Sequence, residues 1–526
     1  MGKSIIFAAF VSAAALTAPV FAVNTTWVGN SSADWADNMN WTPNAVPAAS
    51  TTNDDVFFNS PGLHQPVVSS AQPTGTGFIP RLVFDGNGVH ITGAGPLTLD
   101  RGNVELNNTR QYINANAGTN TVSVPLMLGS GGSGTAYFLF ANNAAVVLDA
   151  PLKFTGAVRN LFLNGLGTLD FRSTFIGADF YAGTGCTLLL NNPAGVAYAP
   201  TAGHKVRANG GTVKWLQDNQ INATTAPNNI LMRVDNNGLA DLNGKTDTIY
   251  NVYFSLDSTV GGMLDTGETG LLNIRYIAYA IHVGSASRIP STTSTINGNV
   301  HFMGTQSETA RISTRRGTAD AELIINAVLS GDCSVSVDNI ADSGGASGGI
   351  VVFNGANTYA QTTKVINGTL VVNGTTGPGK VEVNALGRLE GTGLIDPIAP
   401  ASTISVTGTL APGAPLGTLT IGSPNGGEND VVFNAGSILE IRADESGAAS
   451  LVVNGKILTA NNAKLRLVAT GRVPVGVYTV VDASGGIPGD FAAKEGETDL
   501  MRFRRDPGSN IIKLQVSAPG MLLMLK

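Results

Sequence analysis

Charge is scarce in this sequence: Asp, Glu, Lys and Arg together make up only 13% of its 526 residues, where a typical globular domain carries about 25%. Long charged side chains clothe the wet faces of helices, so their scarcity argues against a helical protein. Cysteine is nearly absent. Cys186 and Cys333 cannot build a zinc site, and so far apart in an elongated chain they are expected as buried free thiols and not as a disulfide. Histidine is sparse as well, and His64, His90, His204, His282 and His301 follow no metal-ligand spacing. A net charge of −6 without any long basic block argues against nucleic acid as a partner. Past the N-terminus, every apolar run is broken within a few residues by Gly, Asn, Thr or Asp, so no integral membrane segment is expected in the mature chain.

What the sequence does have is Gly, 65 residues of it, and 43% hydrophobic residues, too many for a disordered chain. At the start, Lys3, an apolar stretch from Ile5 to Leu16 and the small-residue end Val20-Phe21-Ala22 have the order of a secretory signal peptide. Residues 1–22 are therefore expected to be removed, leaving a mature chain that begins near Val23. Next comes a Trp-rich opening, residues 23–52, with Trp27, Trp35 and Trp41. Those rings are expected to cover the open end of the fold, although tryptophans can also stack on sugars.

From Arg81 onward short apolar strands alternate with corners of Gly or Asn, a pattern too finely punctuated for helices. Lys380-Val381-Glu382-Val383-Asn384 and Lys464-Leu465-Arg466-Leu467 alternate with the period of two of a half-buried strand. The tripeptide Gly-Thr-Leu recurs at residues 167–169, 368–370, 408–410 and 417–419, with variants Gly211-Thr212-Val213 and Gly387-Arg388-Leu389. In each, Gly is expected to take a corner conformation, the second residue to begin a strand and the apolar residue to point into the core. Such units fit a solenoid in which each coil buries its face by stacking on the next. Asn-Gly corners at Asn243, Asn297, Asn354, Asn367 and Asn373 suit that architecture, because stacked Asn side chains can bond from coil to coil; the hairpins of a sandwich would also use Asn-Gly, so the corners alone do not decide.

Residues 321–331, then Gly355-Ala356-Asn357-Thr358-Tyr359, Asn367-Gly368-Thr369-Leu370 and Gly391-Thr392-Gly393 resemble the autotransporter-associated β-strand repeat. Leu410-Ala411-Pro412-Gly413, the region 473–491 and the tryptophans of the opening are similar to other parts of the same secreted proteins. The resemblance is strongest over 321–491 and weaker over 81–318. It implies a right-handed parallel β-helix exposed outside the cell, often in adhesive or matrix roles. The sequence departs from a full autotransporter in having no following membrane barrel before Lys526, and it has no terminal Pro-Glu-Pro sorting motif. Surface association is instead expected through the C-terminal end, where the apolar run Met521–Lys526 is far shorter than the ~20 residues that span a bilayer; the same run also reads as a last strand that packs on Ile512–Val516.

The organisation read from these signals is all-β. A parallel β-helix solenoid occupies 53–421, and a β-rich closing segment follows over 422–526. Chemistry is harder to find. Gly345–Gly349 spells a nucleophile elbow, but Ile350 to Phe353 reads as a strand where a helix must follow. Gly244-Lys245-Thr246 lacks the glycine cradle of a phosphate loop. Gly129–Gly134 matches a dinucleotide fingerprint but leads into the strand-like Thr135 to Leu139. The carboxylate clusters Asp54-Asp55, Asp332 with Asp338, and Asp444-Glu445 sit among turn residues. No catalytic, cofactor-binding or metal site is assigned. The function expected is an extracellular or cell-surface structural scaffold or adhesin, not an enzyme, with surface glycans, other cell-surface proteins or copies of itself as partners. The rival readings are a polysaccharide lyase or hydrolase, for which a groove lined by carboxylates would speak, and a self-assembling matrix or filament subunit, for which repeated end-to-end contacts would.

Overall fold

The computed structural model describes residues 24–47, 55–73, 79–100, 109–129, 135–154, 160–198, 204–221, 231–285, 287–340, 348–398, 403–423, 428–460 and 462–518. The expected leader, Asp54, Gly345–Ser347 and Met521–Lys526 lie outside the described residues.

Over the described residues the fold is all-β, and its coils stack into a parallel β-helix with three ladders. The first runs from Asp55–Phe58 and Arg81–Phe84 through Thr135–Phe140, Asn160–Gly165, Asp179–Gly183, Lys205–Asn209, Leu231–Asp235, Asn251–Phe254, Ile281–Val283, Thr309–Thr314 and Ser334–Asn339. Thr168–Phe171, Thr187–Leu190, Thr212–Trp215 and Leu239–Asp241 belong to the second. The third includes Leu97–Leu99 and Leu126–Leu128, and further along Thr246–Ile249 and Leu271–Ile274. Parallel strands need a long crossover between them, and the other two sides of each coil supply it, so no helix is required. The only helical elements among the described residues are two short 3-10 turns, Asn38–Asn40 and Ile277–Tyr279. Accordingly, no helix among the described residues is long and apolar enough to cross a membrane.

Alternation along each strand sends one set of side chains inward. Leu169, Leu188, Val213, Ala240 and Leu264 are in register and fully buried, as are Leu370, Leu389, Leu410, Leu439 and Leu465. The apolar residue of each Gly-Thr-Leu unit is thus one rung of an inner column. Burying such a side chain is worth roughly 1.5–3 kcal/mol, and it is realised only when the next coil is in place.

The glycine of these units acts differently from the corner role expected of it. Gly368 and Gly417 have positive φ, but Gly167, Gly211, Gly387 and Gly408 do not. At each of those four a Cβ would lie 2.2 Å from a carbonyl oxygen of the preceding coil. Close approach between coils, and not left-handed backbone, therefore demands glycine at these positions.

Three of the five Asn-Gly corners, Asn297, Asn354 and Asn373, bond from coil to coil, joined by Asn326, which no glycine follows; Asn243 instead donates to the Trp215 carbonyl at 3.2 Å and Asn367 accepts the Gly348 amide at 3.1 Å. Asn326 donates to Asn297 at 2.9 Å, Asn354 to Asn326 at 2.8 Å and Asn373 to Asn354 at 3.1 Å.

Aromatic rings close the N-terminal end of the column. Trp27 and Trp35 each meet Trp41 edge-on, at 4.9 and 4.8 Å, and Trp35 and Trp41 pack on Phe58, which stacks on Phe84. All three tryptophans are at most 1% exposed, so none offers a face to a sugar ring. At the other end the parallel ladders pass Ile421 without a break and continue to Ile457–Thr459 and Ala493–Glu495. Antiparallel pairing of Gly476–Ala483 with Ile511–Val516, and of that strand with Met501–Arg504, then closes the fold. Phe491 is buried beneath, edge-on to Phe433 at 5.4 Å.

Candidate functional site on the outer face of the first ladder

The residues singled out in the sequence are scattered, and most are used structurally. Asp55 is paired with Arg81, whose guanidinium also bonds Gln111 at 2.6 Å. Asp338 binds Arg311 at 3.0 Å, while Asp332 is exposed. Asp444 accepts the Ser446 amide at 2.6 Å in a tight turn next to Glu445. His64 and His90 are exposed. His90 contacts Ser123 at 2.7 Å, His204 contacts Asp179 at 2.9 Å and His301 contacts Ser330 at 3.1 Å. Cys186 and Cys333 are buried free thiols, and burial pushes the Cys186 thiol up to about 11, which leaves it unreactive. Ile350–Phe353, Thr246–Ile249 and Thr135–Phe140 are strands, so none of the three motif look-alikes opens a helix. Among the described residues no group of three or more His, Cys, Asp or Glu is placed to hold a metal ion.

One surface concentrates chemistry that the sequence motifs did not flag. Alternation on the first ladder points Tyr137, Phe162, Tyr181, Arg207, Arg233, Tyr253, His282 and Ser313 outward, each in register with the next. At its N-terminal end the rings stack, Tyr137 on Phe162 at 5.5 Å and Phe162 on Tyr181 at 4.2 Å. The Arg207 guanidinium lies 5.3 Å from the Tyr181 ring. Arg207 and Arg233 then share two carboxylates: Arg207 binds Asp235 and Asp257 at 2.8 Å, and Arg233 binds Asp257 at 2.8 Å. Burial pushes the Asp235 carboxyl up, against the pull of both arginines. Burial also raises Asp257, but the hydrogen bonds and charges of the two arginines outweigh it and hold that carboxyl below its usual range.

Beyond the arginines lies a cluster of rings. His282 sits 5.1 Å from Tyr253 and 5.5 Å from Tyr279, the last residue of the 3-10 turn. Tyr276 lies 5.7 Å from Tyr279 and stacks on Tyr250 at 4.4 Å. Arg311 covers the Tyr279 ring at 5.8 Å. The four tyrosines are half-buried, whereas His282 is 8% exposed. Burial, with the nearby Arg311 charge, lowers its imidazole to about 4, so it is neutral at physiological pH. Both His282 ring nitrogens, the Ser313 hydroxyl, Asn251 Oδ1 and the Nε atoms of Arg233 and Arg311 have no hydrogen-bond partner among the described residues. Buried polar groups are nearly always satisfied, so this concentration marks the face off from the rest of the solenoid. No single motif could have announced it, because its members are spread from Tyr137 to Ser313 and meet only through coil register.

No protein-family model matches the chain, and no curated protein matches it.

Proposed function

We propose that this chain is a secreted, non-catalytic scaffold of the cell surface or extracellular matrix, adhesive in role and similar to the autotransporter-associated β-strand repeat proteins. The observation that carries the reading is the outward column from Tyr137 to Ser313. A solenoid fixes such a column at about 4.8 Å per coil, and along it Tyr137, Phe162 and Tyr253 stay partly exposed while Tyr181, Arg207, Arg233, His282 and Ser313 are covered. Neutralised or turn-bound carboxylates at Asp55, Asp338 and Asp444 support a binding role over hydrolysis. The N-terminal signal supports export.

In cells that produce the protein, intact mass should begin near Val23, and protease applied to unbroken cells should remove the chain. Deleting the gene should weaken attachment of those cells to surfaces or to one another. Retention of residues 1–22 with a protease-protected chain, or unchanged attachment, would overturn the proposal. So would depolymerisation of a polysaccharide that is abolished by Asp55→Asn or Asp338→Asn.

A further inference from the structure

Resting on the adhesive reading, we infer that the ring cluster of Tyr250, Tyr253, Tyr276, Tyr279 and His282, floored by Ser313, is a binding site for a neutral saccharide.

Three properties of the cluster define the ligand. Its rim is aromatic and half-exposed, and tyrosine offers an apolar ring together with a polar hydroxyl. Sugars are amphipathic in the same way, with C–H faces and a fringe of hydroxyls. Its floor holds buried groups of mixed character: a neutral imidazole with one donor and one acceptor, the Ser313 hydroxyl that does both, the Asn251 Oδ1 acceptor and the Arg311 Nε donor. A hydroxyl-rich ligand satisfies donors and acceptors together, which a purely accepting anion cannot do. Finally, three of the surrounding cations already have carboxylate partners, while Arg275 lies near Tyr250. Arg207 and Arg233 are matched by Asp235 and Asp257, and Arg311 by Asp338. A sulfated or uronic-acid polymer would have to compete with carboxylates already in place, so the site selects against acidic chains. The convergence of a few polar groups within an aromatic surround is the usual make-up of a small-molecule site. Here the unpartnered His282 and Ser313 lie covered beneath the rings, so a saccharide held on the rim would reach their polar atoms where a ring such as Tyr279 moves aside.

The test is native electrophoresis of the mature protein through gels containing a neutral polysaccharide (β-glucan, galactomannan or dextran) or an acidic one (alginate or heparin). At least one neutral gel should retard the protein. Tyr279→Ala and Ser313→Ala should weaken that retardation at least tenfold, while Val477→Ser, on the exposed C-terminal strand, leaves it unchanged. Tyr276→Ala removes a half-exposed ring without touching the core, so it keeps the test decisive if Tyr279→Ala melts early. Retardation by the acidic gels alone, by no neutral gel, or undiminished from the parent in both Tyr276→Ala and Tyr279→Ala would overturn the assignment. Failure of the adhesive reading is distinguishable: attachment lost on gene deletion but kept by a Tyr279→Ala strain removes only this site. Attachment indifferent to deletion removes the adhesive role, and the gels still report on the saccharide.

Discussion

At the scale of single residues, the molecule tolerates few charges inside, and Asp247 is the one whose burial has the clearest consequence. It is fully buried in Thr246–Ile249 and accepts hydrogen bonds from the Trp215 indole at 2.6 Å, the Ile221 amide at 3.0 Å and the Thr248 amide at 2.7 Å. The third ladder narrows there to single bridges at Tyr198 and Ile221, so the carboxyl supplies an acceptor that a neighbouring strand would otherwise provide. Burial raises it to about 7 despite those bonds. Its folded pKa thus lies above the unfolded value of ~3.9. Below about pH 4 the carboxyl is protonated in both states and costs nothing; between pH 4 and 7 only the unfolded chain ionises, so stability falls by on the order of 4 kcal/mol and then levels off above 7. His282 has the opposite sign. Its lowered pKa means that stability is lost as pH falls from about 6.5 toward 4. The difference in melting temperature between Asp247→Asn and the parent should therefore move in favour of the variant between pH 5 and pH 7.5. A difference that stays constant across that range would show that Asp247 does not titrate in the fold. Sequence offered no hint of this carboxylate, since Lys245-Thr246-Asp247-Thr248 reads as an ordinary polar corner.

At the scale of elements, the recurring units are held by pairing along the axis and not by contacts within a coil. The chain of Asn297, Asn326, Asn354 and Asn373 runs beside the second ladder, each amide donating to the residue one coil back. Asn326 and Asn354 are the inner members, each with a partner on both sides, so Asn326→Ala breaks two bonds. A cost of about 1–2 kcal/mol is expected at ~1 kcal/mol net per hydrogen bond, discounted for exposure. Hydrogen exchange should locate the loss in Leu323–Ile325 and Ile350–Phe353, with Thr168–Phe171 unaffected. Exchange accelerated uniformly along the chain would contradict this local account. The repeat and the corners Asn297, Asn354 and Asn373 were legible in sequence because a glycine follows each, whereas Asn326, followed by Ala327, was not. The role of Gly167, Gly211, Gly387 and Gly408 was not, because a clash with the preceding coil depends on how tightly two coils approach.

At the scale of the whole molecule, stability in a solenoid is a sum of coils and neighbour interfaces, so the ends are its weak points. Trp41 is fully buried and is the ring on which both Trp27 and Trp35 pack. Trp41→Ala should cost roughly 3–5 kcal/mol, with the loss confined to one end. Proteolysis should open Asp55–Phe58 and Arg81–Phe84 first, while Ile438–Asp444 and Lys464–Ala469 stay protected. Simultaneous loss of both ends would mean that the solenoid unfolds as one unit, against the neighbour-by-neighbour picture.

The sequence by itself determined the class of this protein. Scarce charge, period-two alternation and Gly or Asn corners leave stacked short strands as the way to bury so many apolar residues, and these signals are local and so can be read without a structure. It also determined the inner column of leucines and the closing tryptophans, since apolarity alone sends them inward. Only the tertiary structure decided what faces outward together. Tyr137 and Ser313 share one column because successive coils of unequal length still align their strands, and the arginines acquire their carboxylates through loops that fold over that face. Those relations depend on coil length and register, which hydrogen bonding between backbones sets and side-chain composition does not encode.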